Sequence, residues 1–310
     1  MGKADAGFCD TRGMALVSTP EERFADVEGY DYEPQYVSVG DPEMAYVDVD
    51  GDGTETFLCL HGEPTWGFLY RKMIPRLRDR GRVVVPDFVG FGRSDTYDEV
   101  DEYSFSLHYE TLTAFVEELD LTDVTLVCQD WGSILGLPLA VSDQPQRFSR
   151  IVAMNALLTD GEVEPPEIWY QFRDTVAGAD ELDVPRIIDT GCANDLTENA
   201  RRGYAAPYAS EAEKAGAHAW PPMVPTDPGM EGAEQHAQLR DDLEDYDRPF
   251  FVLFSEADPI TEQYRDLFRD LVPTAADQPD VWVENAGHFL QEDAGESCAD
   301  HIVEFVDRTA

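Results

Sequence analysis

The sequence predicts an α/β fold in which helices flank a mostly parallel central sheet and a helical cap is inserted. Two observations predict this architecture. Short, continuously apolar runs alternate with helical repeats in two separate regions of the chain, and the stretch between these regions contains no such run. The length of 310 residues suits one large α/β domain or two smaller ones, and 43% hydrophobic residues are enough to bury a core.

Six runs are predicted to be buried strands. Each is short, apolar and rich in β-branched or aromatic residues, as a sheet covered on both faces requires: residues 56–60, 83–85, 124–127, 151–153, 250–254 and 281–283. Apolar residues at helical spacing predict helices around residues 107–119 and 267–271 and a closing helix around residues 298–306. The first forty residues show no clear pattern, and we assign them to no element.

The stretch from residue 159 to residue 227 has a different composition, because it is rich in proline, alanine, acidic and aromatic residues. We interpret it as a helical cap over the carboxyl ends of the strands, where open α/β sheets bind ligands. The predicted division is therefore a core domain of residues 1–158 and 228–310 and a cap of residues 159–227.

The chain is strongly acidic, with 64 Asp and Glu residues against 22 Lys and Arg residues and a formal net charge of −42. Such a charge repels nucleic-acid phosphates, so we expect no nucleic-acid partner. The acidic residues are spread along the chain, and only three lysines are present to pair with them. We interpret the surface as a halophilic adaptation to a cytoplasm of molar salt, in which charge repulsion is screened.

Other sequence features argue against a membrane, secretion or a metal. No apolar run approaches the roughly 18 residues of a membrane span, and the first ten residues lack the apolar segment of a signal peptide. The five cysteines form no C-x-x-C pair, so they predict neither a zinc site nor a disulfide framework. We therefore expect a cytoplasmic protein without a membrane partner and without a metal.

The predicted strand around residues 124–129 is followed by Asp130 and then by a helix. The small residues Cys128 and Gly132 flank Asp130 and leave room for a sharp strand-to-helix turn. This pattern is typical of a nucleophile elbow, with aspartate in place of the usual serine. An aspartate beside a glycine at a strand end is common, so the motif needs support from elsewhere in the chain.

Two later strand ends supply that support, because Asp258 follows the strand 250–254 and His288 follows the strand 281–283. The order nucleophile, acid, histidine is the one expected for such an elbow, so the three side chains should meet as a catalytic triad. The alternatives are a helix N-cap before Pro259 for Asp258 and a structural loop residue for His288. Four other histidines are predicted to lie on the surface: His108, His218, His236 and His301.

Residues 60–66 form a third strand-end motif. A loop at this position supplies one backbone N–H of an oxyanion hole, and the residue after the nucleophile supplies the other. The predicted donors are the amides of Glu63 and Trp131. The Glu63 carboxylate receives no predicted role.

These motifs resemble those of the haloalkane dehalogenases, a family of the α/β-hydrolase superfamily. Three stretches carry the resemblance: residues 61–66 (HGEPTW), 86–95 (PDFVGFGRSD) and 129–132 (QDWG). The similarity runs from about residue 46 to residue 301 and is greatest to the subgroup whose catalytic acid follows the strand after the cap, as Asp258 does. The resemblance implies an α/β-hydrolase fold and a hydrolase that acts on carbon–halide bonds.

The resemblance also implies a mechanism, in which Asp130 displaces halide from a saturated carbon and forms a covalent alkyl ester. The leaving halide needs hydrogen-bond donors, and an indole N–H donates without accepting. Trp131 supplies one donor, and the resemblance suggests Trp169 of the cap as the second, with Trp220 as its substitute. His288 would then activate the water that hydrolyses the ester.

The products would be an alcohol, a halide ion and a proton, and the reaction needs no metal and no other cofactor. The expected partners are a small halogenated alkane and the halide product. We expect a monomer or a small homo-oligomer, because acidity disfavours self-association at low salt. The predicted walls of a small apolar pocket are Ile134, Phe172, Trp220, Val224, Ile260 and Phe289.

Alternative functions share this fold. An epoxide hydrolase uses the same triad with phenols from the cap, which Tyr170, Tyr204 and Tyr208 offer. A cofactor-free luciferase-like oxygenase is a second alternative, while a complete triad argues against a non-catalytic binding protein. A fluoroacetate-type dehalogenase would carry arginine, not tryptophan, after the nucleophile. The combination of Trp131, the motif at residues 61–66 and a matching cap tryptophan favours halide chemistry.

Overall fold

The computed structural model describes residues 16–161 and 163–310. Within these residues the strands are β1 (Leu16–Val17), β2 (Pro34–Ser38), β3 (Glu43–Val49), β4 (Glu55–Leu60), β5 (Gly81–Pro86), β6 (Thr96–Tyr97), β7 (Val124–Gln129), β8 (Phe148–Met154), β9 (Phe250–Ser255) and β10 (Val281–Val283). All six predicted strands are present. Their apolar side chains are fully buried at the centre of the sheet, as at Leu126, Val152 and Phe251.

The main sheet has eight strands in the order β10-β9-β8-β7-β4-β5-β3-β2. Every neighbouring pair from β10 to β5 is parallel. β3 runs antiparallel to β5, and β2 runs antiparallel to β3. The short strands β1 and β6 pair separately. This arrangement confirms the predicted α/β fold with a mostly parallel sheet.

Helices cover both faces of the sheet. They are α1 (Ile74–Leu77), α2 (Phe105–Glu118), α3 (Trp131–Pro138), α4 (Glu167–Ala177), α5 (Val184–Gly191), α6 (Glu198–Ala205), α7 (Ala215–Met223), α8 (Ala233–Glu244), α9 (Glu262–Leu271) and α10 (Leu290–Thr309). Short 3-10 segments lie at Glu21–Phe24, Gly67–Lys72, Val100–Glu102, Pro145–Arg147, Ala212–Lys214 and Pro273–Ala275, and a π segment lies at Leu139–Asp143. In the part of the chain that the structure describes, no helix has the length and apolarity to cross a membrane.

The hairpin of β2 and β3 was not predicted. β3 alternates between buried and more exposed residues, because only one of its faces packs on the core, and β2 is a largely exposed edge strand. Such strands carry a weaker apolar signal than the continuous runs of the parallel strands. The hairpin extends the sheet beyond β5, away from the strand ends that carry the motifs.

The carboxyl ends of β4, β7, β9 and β10 share one edge of the sheet, so the four loops that follow them meet there. Four helices, α4 to α7, lie in the chain between β8 and α8 and correspond to the stretch interpreted as a cap. The exact division at residues 158/159 and 227/228 stays a prediction. The start of the core domain, residues 1–15, lies outside the described residues.

Candidate active site

Asp130 lies in the sharp turn between β7 and α3, with φ of 50° and ψ of −124°. A positive φ is unfavourable for a residue with a side chain, and such strain is typically stored at functional sites. Gly132 makes the turn possible, because a Cβ there would lie 2.3 Å from the carbonyl oxygen of Leu60. Gly62 is equally constrained, since its Cβ would lie 2.3 Å from Asp130 Oδ1. The local geometry is that of a nucleophile elbow.

The structure brings the three predicted triad residues together. Nε2 of His288 lies 3.6 Å from Oδ2 of Asp130, and Nδ1 of His288 lies 2.9 Å from Oδ2 of Asp258. The amide of Ile260 donates to Oδ1 of Asp258 at 3.0 Å, and the Thr261 hydroxyl also donates to this carboxylate. Asp258 is therefore held in place on one side while it orients the imidazole on the other.

The two carboxylates control the charge of the imidazole. Burial alone would lower the pKa of His288, but the negative charge of Asp258 and the contact with Asp130 raise that pKa to about 10. Burial would likewise raise the pKa of Asp258, yet the His288 charge and hydrogen bond lower it. The two aspartates thus favour the protonated form of the imidazole.

One of the two predicted oxyanion donors contacts the Asp130 carboxylate. The amide of Glu63 donates to Asp130 Oδ1 at 2.8 Å. The amide of Trp131 has no hydrogen-bond partner among residues 16–161 and 163–310 and begins α3, so it remains available as a donor. Burial and the charge of Asp130 raise the pKa of the Glu63 carboxyl well above its usual value, which favours its neutral form.

Trp220 cannot serve as a halide donor, because its indole N–H already donates to Nε2 of His108 at 2.6 Å. Its ring instead stacks on Trp131, with ring centroids 4.9 Å apart and an interplanar angle of 22°. The suggestion of Trp220 as a substitute for Trp169 is therefore wrong. In the structure, the Trp220 ring packs against Trp131.

The interpretation of four histidines as surface residues is wrong for two of them. His108 and His236 are completely buried, and burial lowers the pKa of His108 to about 3 and that of His236 to about 4. His236 accepts the amide of Thr159 on Nδ1 and contacts the Ile134 carbonyl through Nε2. His218 and His301 are half-buried.

Trp169 lies in α4 and is buried, 4% exposed. Neither its indole N–H nor that of Trp131 has a hydrogen-bond partner within the described part of the chain. The convergence of the two indoles on one halide stays a prediction. The proposed pocket walls divide into buried side chains and half-buried ones: Ile134, Trp220, Val224 and Phe289 are buried, and Phe172 and Ile260 are half-buried.

Asn155 organises the site without having been predicted to do so. Its backbone carbonyl accepts the amide of Asp130 at 3.3 Å. Its side-chain amide donates to the carbonyls of Gly287 and His288 at 3.1 and 3.0 Å, and its Oδ1 accepts the amide of Ser255 at 2.9 Å. Through its backbone and its buried side chain together, Asn155 thus connects the ends of β7, β8 and β9 with the histidine loop.

The described residues contain no group of three or more His, Cys, Asp or Glu side chains placed to hold a metal ion. Cys59, Cys128 and Cys298 are buried free thiols and Cys192 is half-buried, whereas Cys9 lies outside the described residues. The groups that are assembled are a carboxylate that accepts one backbone amide and an imidazole oriented by a second carboxylate. This set can perform nucleophilic displacement followed by hydrolysis of the resulting ester.

Comparisons with known proteins agree with this chemistry. Residues 57–301 match the alpha/beta hydrolase family. The chain is 36% identical over 302 residues to a haloalkane dehalogenase of Psychrobacter cryohalolentis, with 94% of this chain and 98% of that protein covered. It is 38% identical over 302 residues to haloalkane dehalogenase 1 of Mycobacterium bovis, with 96% and 100% covered.

A solved structure shows the same fold at similar identity. The tetrameric haloalkane dehalogenase of Paraglaciecola agarilytica NO2 superposes with a TM-score of 0.86 at 35% identity, over 92% of this chain and 97% of that one. Family and fold are thereby shown over nearly the full length. The chain belongs to the haloalkane dehalogenase family within the α/β-hydrolases.

Proposed function

We propose that this chain hydrolyses the carbon–halogen bond of small haloalkanes through a covalent ester on Asp130, as a hydrolase of its family. The observation that carries the proposal is the contact of His288 with both aspartates, 3.6 Å from Asp130 and 2.9 Å from Asp258. That arrangement places the proposed nucleophile, Asp130, beside the base that is needed to hydrolyse the ester formed on Asp130.

In the first step, Asp130 attacks the carbon that bears the halogen. Oδ1 is engaged by the Glu63 amide, which leaves Oδ2 to form the new oxygen–carbon bond. The carbon–halogen bond breaks, and the halide leaves with its electron pair. The indole N–H groups of Trp131 and Trp169 donate to that anion, as both are without another partner in the described residues.

In the second step, His288 takes a proton from water, whose oxygen attacks the ester carbonyl carbon of Asp130. The amides of Glu63 and Trp131 stabilise the oxyanion, a contribution of about 3–4 kcal/mol for each donor in comparable sites. The bond between the acyl carbon and the alkyl oxygen then breaks, and His288 returns its proton to the leaving alkoxide, which becomes the alcohol. The regenerated carboxyl of Asp130 releases the second proton of the water, so that the net products are an alcohol, a halide ion and one proton.

The change of charge at Asp130 couples the two steps. Before alkylation the charges of Asp258 and Asp130 both support the imidazolium form of His288. Esterification removes the Asp130 charge, while the burial that lowers the pKa of the imidazole remains. The pKa of His288 therefore falls when a general base is needed.

An epoxide hydrolase is not favoured. That chemistry needs free phenols in the cap. The Tyr204 hydroxyl is engaged, because it donates to Glu292 Oε2 at 2.7 Å, whereas the buried Tyr208 hydroxyl has no hydrogen-bond partner in the described residues. The choice between the two functions follows from the relatives, because those that match 94% and 96% of the chain are haloalkane dehalogenases. No observation favours a luciferase-like oxygenase.

The test is bromide release and acidification with 1-bromobutane or 1,2-dibromoethane, in about 1 M sodium sulfate so that no other halide competes. Wild type should release equal amounts of bromide and protons, and Asp130→Asn should release neither. Hydrolysis of styrene oxide without bromide release from any haloalkane would contradict the proposal.

We also propose that residues 159–227 form a cap over this site and that the protein works in a cytoplasm of high salt. The accessible surface of 13443 Å² sets the 64 carboxylates roughly 14 Å apart, within a screening length of about 30 Å at 0.01 M salt but well beyond about 3 Å at 1 M. High salt would also permit a small homo-oligomer; the Paraglaciecola relative is tetrameric.

A further inference from the structure

The carboxylate of Asp293, in the first turn of α10, accepts four N–H groups from two different loops. Oδ1 accepts the backbone amide and the side-chain amide of Asn194 at 3.0 and 2.9 Å. Oδ2 accepts the amides of Ala193 and Gly287 at 2.8 and 2.9 Å. Residues 193 and 194 follow α5 in the proposed cap, whereas Gly287 immediately precedes the proposed base. One side chain therefore joins the two loops.

Two further hydrogen bonds connect the same loops directly. The amide of His288 donates to the carbonyl of Gly191, the last residue of α5, at 2.7 Å. The side-chain amide of Asn194 donates to the carbonyl of Asn285 at 3.0 Å. The loops also touch, because a Cβ on Gly287 would lie 2.3 Å from the Gly191 carbonyl oxygen. The backbone of the base is thus held from the cap side.

The neighbouring residue anchors the same helical turn. Glu292 is buried and pairs with Arg71 at 2.6 Å and with the Tyr204 hydroxyl of α6 at 2.7 Å. Burial would raise the pKa of Glu292, but the Arg71 hydrogen bond and charge, aided by Lys72, lower it to about 2. Glu292 therefore stays ionised and fixes the turn on which Asp293 lies.

We infer that Asp293 is a positioning residue for the catalytic base, a latch through which the cap sets the place of His288. Its carboxylate has acceptors for all four N–H groups, and no neutral side chain of this size can accept them all. Loss of the latch would free the loop of residues 285–288 and displace Nε2 relative to the Asp130 ester. In the described part of the chain, no hydrogen bond joins the Asp293 carboxylate to the nucleophile on the β7 elbow.

The inference rests on the proposed function, and it predicts a selective defect. Alkylation depends on Asp130 and the halide donors, so it should proceed at close to the normal rate without the latch. Hydrolysis of the ester depends on the placement of His288 within hydrogen-bond reach of a water. It should slow by roughly tenfold to a hundredfold, the usual effect of a small misplacement of a catalytic group.

The experiment compares Asp293→Asn with wild type in quenched-flow reactions with 1,2-dibromoethane, and mass spectrometry measures the alkylated fraction of the enzyme. Asparagine keeps the shape of the side chain but replaces one carboxylate oxygen by an N–H₂ group. That group cannot accept the two N–H groups that the oxygen accepted, and two of the four hydrogen bonds are lost. Asn194→Ala, which retains the carboxylate and loses two side-chain hydrogen bonds, should show a smaller defect in the same step. Asp300→Asn is the matched control, because Asp300 lies in α10 and is exposed beside Arg76.

Asp293→Asn should accumulate the alkyl ester while the control behaves as wild type. The ratio of the rate of alkylation to the rate of ester hydrolysis is unaffected by a fraction of unfolded protein, because unfolding lowers both rates alike. An unchanged ratio in Asp293→Asn, with a wild type that turns over, would overturn the latch alone. A wild type that forms no ester would contradict the proposed function instead.

Discussion

The hydrogen-bonding of the tryptophans makes a sharp prediction about halide binding. Trp220 contacts Trp131, but its N–H is used by His108, so Trp220→Phe removes no donor from the halide site. Trp131→Phe and Trp169→Phe each remove an N–H that has no other partner in the described residues. Halide affinity should therefore distinguish Trp220 from the other two.

The expected magnitudes differ clearly. A hydrogen bond to a charged group contributes about 1.5–3 kcal/mol, so the loss of the Trp131 or Trp169 donor should raise the Kd for bromide roughly 10- to 150-fold. Trp220→Phe should leave the Kd within about threefold, because the ring stack at 4.9 Å is retained. That variant instead leaves Nε2 of His108 buried without a donor, at a cost of about 1–3 kcal/mol in the free energy of unfolding.

The assay is calorimetric titration with bromide at constant ionic strength, with sodium sulfate as the balancing salt. Calorimetry is preferable to fluorescence because each variant loses one of the five tryptophans, which itself changes the fluorescence signal. Urea denaturation of the same variants measures the stability change. A loss of bromide affinity in Trp220→Phe as large as that in Trp131→Phe would refute this account of the donors.

Three further predictions concern the nucleophile, the base and the surface. Gly62→Ala should slow alkylation about 100-fold in a folded protein, because its Cβ would lie 2.3 Å from Asp130 Oδ1 and push the carboxylate by about 1 Å. Single-turnover kinetics measure the alkylation rate, and circular dichroism shows that the variant is folded. An unchanged alkylation rate would contradict this prediction. Hydrolysis of the ester should accelerate as pH rises, because His288 must lose its proton to act as the base. The apparent pKa of His288 in the ester should lie below the value of about 10 in the free enzyme. A hydrolysis rate that falls with rising pH would argue against His288 as the base. The midpoint of unfolding in urea should rise between about 0.01 M and 1 M KCl, because salt screens the repulsion within a chain of net charge −42. Equal midpoints at the two salt concentrations would exclude the halophilic interpretation.

The sequence predicts most of the sheet because its parallel strands are buried on both faces. Residues 56–60 and 250–254 are continuous apolar runs for that reason, and each is followed by a motif, residues 61–66 after the first run and Asp258 after the second. The positions of Asp130, Asp258 and His288 follow from the same logic, since strand ends in one parallel sheet meet at one edge. Their mutual distances agree with that expectation, while their catalytic roles remain proposals.

The remaining features depend on partners far away in the chain. Nothing near His108 indicates that Trp220, 112 positions later, will bury it and use its lone pair. Asp293 looks like one more acid on an acidic helix until the loop at residues 193–194 is folded against it. Asn155 could have been noticed as a buried polar residue at a strand end, because a polar side chain in such a place needs hydrogen-bond partners.

The covalent ester is the central claim, and trapping it is the most direct measurement. His288→Phe removes the base of the second step but leaves Asp130 and the halide donors in place. Incubation with 1-bromobutane, proteolysis and mass spectrometry should find one butyl group on the peptide that contains Asp130, with one bromide released per enzyme. A butyl group on another residue, or an unmodified Asp130 after bromide has been released, would contradict the account.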